Sequence, residues 1–289
     1  MTLEERVSAL TRGEPYDGDF RAFLGPDGRP APAALDLLER GLREAEGEGR
    51  EEVARALLAA VEQSDSMWRE GGVLVRDPRV VRALVELGPL RLDGAKELCL
   101  DALLYAVPLE LLRPHAAALL DDLRAHPDAT AFLLAARLHD DRAGPVLDEV
   151  FALDPTWADT RESLCAAAAY GDRLTEVATV ERFVQTRDPV EKSELALELG
   201  WIGTPLALRT LGEALRTPLV QEDFPLRRSC RVDVVAGLRT TFTDAVPLFE
   251  NRFTSDAAYD EAERLVTDRL GVTWTAPRPP FLWKEIQPH

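Results

Sequence analysis

Histidine and cysteine supply most metal ligands and nucleophiles, and this chain holds four of the first and three of the second. The histidines are His115, His126, His139 and His289. His139-Asp140-Asp141 has ligand-type letters, but a helix-capping turn uses the same ones and no second histidine sits at helical spacing. Cys99, Cys165 and Cys230 are scattered, with no close pair and no histidine near them in sequence, so no cysteine nucleophile is indicated. Each lies among alanines, leucines or valines, as buried free thiols do in a reducing cytoplasm. Asp17-Gly18-Asp19 and Asp27-Gly28 suggest calcium only until the missing ligand loop with its closing glutamate is noticed, and turn chemistry explains both pairs. Phosphate-cradling glycine loops, serine elbows and kinase-type signatures are missing. The expectation is a chain with no catalytic residue, no metal and no cofactor.

A second kind of chemistry is offered by arginine. Arg227, Arg228 and Arg231 form a cationic strip with Arg239, while Arg209 and Arg216 lie just upstream. Positions 227 and 231 are one helical turn apart and share a face. Such a strip could hold an acidic peptide or a phosphate. The favoured reading is the plainer one, ion pairing with neighbours such as Glu194, Glu198, Glu213, Glu222 and Asp223. Trp157 and Trp201 fall near helix ends, where tryptophan serves as a packing plug or, if exposed, as a binding anchor. Trp201, Arg209, Arg227, Arg228 and Arg231 are therefore the candidate binding residues.

The elements that must position these residues are helical throughout. Hydrophobic residues make up 46% of the 289 and charged residues 29%, enough to bury a large core. The formal net charge of −17 disfavours nucleic acid and anionic membrane surfaces; it reads first as a solvated acidic surface and, as the functional alternative, as favouring a basic partner. The apolar runs are far shorter than the roughly 20 residues a membrane span needs. Met1 to Arg6 has neither a cationic start nor an apolar stretch, so no secretory signal is expected and the chain reads as cytoplasmic.

Residues 1–11 carry a short amphipathic pattern. Gly13 to Pro32 reads as a loop anchored by Tyr16, Phe20, Phe23 and Leu24, and Glu44 to Glu52 as a solvated turn. Asp77-Pro78, Pro108, Pro127, Asp140-Asp141, Asp154-Pro155, Gly171-Asp172 and Asp188-Pro189 each open a helix. Stripes at 3.6 spacing follow them: Leu112, Ala116, Leu119, Leu120 and Leu123 in one helix; Leu174, Val177, Val180 and Val184 in another. The turns near residues 77, 108, 141, 172 and 204 recur about every 32 residues, a helical-repeat period. No alternating run of β-branched residues competes, so the fold class is all-α.

Leu199-Gly200-Trp201-Ile202-Gly203-Thr204-Pro205-Leu206-Ala207 resembles the turn of a bacterial HEAT-like repeat, in which Leu-Gly-x-Ile-Gly ends one helix and a capping pair begins the next. Arg137 to Ala143 and Gly237 to Pro247 are similar in outline. The resemblance covers roughly residues 77–270 and implies a right-handed α-solenoid of antiparallel helix pairs, about 12–14 helices in all. It divides one helical-repeat domain into an irregular N-terminal cap (1–76), the helix pairs (77–270) and an extended proline- and aromatic-rich tail (271–289). Such solenoids usually bind proteins on a concave face. Some relatives bind nucleic acid, excise modified bases or act on tetrapyrrole chromophores, and fold alone does not choose among these. Two functions are thus open at this point. One is a non-enzymatic adaptor, scaffold or neutralising binder of another protein. The alternative is a HEAT-like enzyme or ligand carrier acting on a base or chromophore near residues 201–239.

Overall fold

The computed structural model describes residues 2–23, 31–64, 77–87, 100, 103–104, 107–214, 264 and 267–273. Among the described residues there are twelve α-helices and no strand. No helix there is long and apolar enough to cross a membrane.

Three helices form the N-terminal unit: α1 (Leu3–Thr11), α2 (Pro32–Glu44) and α3 (Gly47–Ser64), each packed on the other two. Thr2 and Glu5 close α1 with a reciprocal capping box, 2.6 and 3.2 Å long. Of the loop anchors, Phe23 is buried and Tyr16 packs against the core, while Leu24 lies outside the described residues. The solvated turn expected over 44–52 shrinks to Ala45–Glu46, because Gly47 to Glu52 is already helix. Glycine explains the difference. At Gly49 a Cβ would stand 2.3 Å from the carbonyl oxygen of Thr11, so that glycine serves close helix approach rather than a loop, while Gly47 takes φ +51° where the helix begins. Arg82 bonds Glu39 at 2.6 Å and Arg79 bonds Asp36, tying α4 (Pro78–Leu87) to α2. Asp77 accepts from the Arg79 N–H at 2.9 Å, as its place before Pro78 predicts.

Beyond residue 107 the helices follow closely on one another. The single helix expected after Pro108 is two, α5 (Leu109–Leu112) and α6 (Ala116–Ala125), joined by a 3₁₀ turn at Arg113–His115. Pro114 has no N–H to bond the carbonyl four residues back, which forces the break. Asp128 caps α7 (Ala129–Leu138), and α8 (Ala143–Leu153) follows. The helix expected from Asp154-Pro155 is likewise interrupted. It begins as a 3₁₀ turn, Pro155–Asp159, and α9 (Arg161–Ala169) starts afresh from its own cap, Thr160. Asp172 caps α10 (Arg173–Gln185), Asp188 caps α11 (Pro189–Ile202), and α12 is Pro205–Ala214.

The last of these joints is the hairpin turn seen in the sequence. Gly203 takes φ +61° and returns its N–H to the Leu199 carbonyl at 3.0 Å, and the Thr204 hydroxyl accepts from the Ala207 N–H at 3.2 Å. α7 packs on α9 and α9 on α11, while α6 packs on α8 and α10 on α12. One contact departs from a simple stack. α7 also touches α11, so α7, α9 and α11 all meet one another.

Candidate functional site

Trp201 and Arg209, the described members of the candidate set, differ in exposure. Trp201 is buried in the core beside the turn it precedes, and Arg209 is exposed on α12. Trp157 likewise packs against the core, its ring 5.5 Å from that of Phe132. Arg227, Arg228, Arg231, Arg216 and Arg239 lie outside the described residues, as do Cys99, Cys230, His289 and the tail from Trp274. Two of the acids expected to neutralise the arginine strip are engaged elsewhere: Arg161 reaches Glu198 at 2.5 Å and Glu194 at 3.8 Å.

Among the described residues, Cys165, His139 and His126 each have structural surroundings. Cys165 is buried, and burial pushes its thiol well above the usual range, away from the reactive thiolate. His139 is the left-handed residue that ends α7, at φ +48°. Burial, with Arg269 and Arg113 nearby, lowers its pKa, which keeps the ring neutral. His126 faces Asp122 at 3.3 Å. No cluster of three metal-ligating side chains occurs among the described residues.

Sequence reasoning passed over two side chains that hold helix ends. Arg137, 1% exposed, donates to the carbonyls of Leu103 at 3.0 Å, Leu104 at 2.6 Å and Val107 at 2.9 Å. A guanidinium at the C-terminal end of a helical segment meets both its free carbonyls and its negative dipole end. The Tyr170 hydroxyl donates to the Ala135 carbonyl at 2.6 Å and accepts from the Asp140 N–H at 3.0 Å, closing the end of α7.

The feature that stands out is α10. Its spacing predicts that the stripe Leu174, Val177, Val180 and Val184 faces inward. Instead Leu174 is 85% exposed, Val184 63% and Val177 36%, with only Val180 packed against the core. The inward face is Glu176, Thr179 and Phe183, spaced i, i+3, i+7. A polar network causes the rotation. Glu176, buried at the helix's first turn, accepts from Arg173 at 2.5 Å and from the Thr204 hydroxyl in the turn before α12. Thr179 bonds back to the Thr175 carbonyl at 2.9 Å, and Lys192 lies 5.1 Å over the Phe183 ring. Once Glu176 is anchored to Thr204, helix geometry turns Leu174, Val177 and Val184 outward, within about one quarter of the circumference. A signal was available in the sequence, since Glu176, Thr179 and Phe183 also fall at helical spacing, but an apolar stripe is the stronger cue.

Leu153 and Val190 are also exposed, at 78% and 49%, on the helix before α9 and at the start of α11. Leu174, Val177 and Val184 thus form an exposed apolar row on a helix whose opposite face is held by a buried polar network. Compared with known proteins, the chain matches no family model, no curated protein and no solved structure.

Proposed function

We propose that the chain is a non-enzymatic helical-repeat protein that binds another protein, a right-handed α-solenoid of HEAT-like pairs working in the cytoplasm as an adaptor, scaffold or neutralising binder. The observation that carries this reading is the outward apolar row of α10. A helix that buries a carboxylate and shows leucine and valine to water is costly as a free surface, and covering it offsets that cost. The packing of alternate helices on one another and the glycine-and-threonine turn at 203–204 support the solenoid assignment. The net charge of −17 makes a basic partner the favoured one.

The experiment is capture from a lysate of the source cells by the full chain, with cross-linking, at moderate salt. The reading requires a protein retained in stoichiometric amount. If none is retained, the binding function is wrong.

A further inference from the structure

The exposed row of α10 has a register as well as a composition. Leu174, Val177, Glu181 and Val184 fall at i, i+3, i+7 and i+10, the a-d-a-d spacing of a two-helix seam, and all four are exposed. The 13-residue helix is about 20 Å long, room for two such repeats. Among the described residues its other sides pack on α9, α11 and α12, and the seam side chains are exposed.

Glu181 breaks the apolar row at its centre and selects the occupant. The arginines flanking the seam are already paired within the chain: Arg173 with Glu176 at 2.5 Å and Arg182 with Glu191 at 2.8 Å. Among the described residues Glu181 forms no ion pair, and it remains the seam's uncompensated charge. A second copy would suit it badly. Antiparallel self-pairing about residue 179 sets each Glu181 against Val177 of the other copy, and parallel pairing sets Glu181 against Glu181. Either way carboxylates are buried without a counter-charge, between chains that each carry −17.

We infer that the Leu174–Val177–Glu181–Val184 seam docks an amphipathic, cationic helix of another protein, whose leucine-type residues cover the row while a lysine or arginine sits against Glu181. The pairing would set register, as a charged residue within a helical seam does. This inference rests on the protein-binding function proposed above and assigns its site and its partner's chemistry.

The probe is a pair of three-heptad amphipathic peptides, leucine at a and d, identical except for lysine or glutamate at one central a position. Binding to the full chain is read by fluorescence anisotropy. The lysine peptide should bind at least about tenfold more tightly, and Glu181→Lys should reverse the ranking. Combined Leu174→Asp, Val177→Asp and Val184→Asp should abolish binding of both. Because all these positions face solvent, circular dichroism should be unchanged; if the triple variant fails to fold, the Glu181→Lys reversal alone decides.

No binding of either peptide, equal binding of the two, or an unreversed ranking overturns the inference. So does concentration-dependent dimerisation lost in Val177→Asp, which would make a second copy the occupant. Peptide binding only after removal of residues 274–289 would make the chain's own tail the occupant and overturn it as well. A cellular partner retained equally by wild type and by the triple variant would leave the binding function standing while the seam falls.

Discussion

At the scale of single residues, the chain places its scarce polar chemistry where helices end. Arg137 spends its guanidinium on three backbone carbonyls inside the core. Truncating it to Met keeps the apolar stem but strands those acceptors, and the expected loss is about 3 kcal/mol, read from urea unfolding. Arg137→Lys should recover less than half, because an ammonium cannot span three carbonyls as a planar fork does. His139 makes a different prediction. Its folded pKa lies below the unfolded value of about 6.5, so between the two the unfolded chain binds more protons. Stability therefore falls as pH drops through about 6.5 and is fully present above it. His139→Asn, which keeps a residue tolerant of φ +48°, should reduce the loss of Tm as pH falls below about 6.5. An unchanged slope would mean that the ring is solvated in the fold.

At the scale of helices, boundaries were legible where one residue decides them and obscure where two signals compete. Asp77, Asp172 and Asp188 each cap as their position beside proline or glycine indicated, and Gly203 turns as its motif required. Pro114 was equally visible, yet the apolar stripe continues across it and conceals the break. Gly47 and Gly49 read as loop because glycine has two uses, and here each serves a different one: Gly47 takes a left-handed φ of +51°, and Gly49 lets the Thr11 backbone approach closely. The face of α10 was illegible for a longer-range reason. Thr204, 28 residues from Glu176, holds that carboxylate inward, and no local period records such a partner. The candidate site followed the same pattern: Trp201, readable as a packing plug or as an anchor, is core, while the exposed row lay within residues assigned to the core. Gly49 supplies the test at this scale. Its Cβ would meet backbone at 2.3 Å, whereas that of Gly41 meets side-chain methyls at 3.2 Å or more. Gly49→Ala should cost about 3 kcal/mol and Gly41→Ala about 1, compared by thermal unfolding. Equal costs would show that α1 slides freely over α3.

At the scale of the whole molecule, the contact between α7 and α11 decides how the fold comes apart. In a linear helical array each unit touches only its neighbours, so stability is a sum of local terms and the ends open first. Here α7, α9 and α11 each touch the other two, and Tyr170, just past α9, closes the end of α7. A perturbation in α11 thus reaches α7 without passing through α9. Leu195, buried in α11, is the position to use. Leu195→Ala removes about 3 kcal/mol of packing, and hydrogen exchange of the backbone amides reads where the loss appears. The triangular arrangement requires protection to fall together in α7, α9 and α11, while α1 to α3 keep theirs. If protection fell in α11 and α12 and left α7 unchanged, the block would be a chain of independent neighbours, and the extra contact would contribute little to its cooperativity.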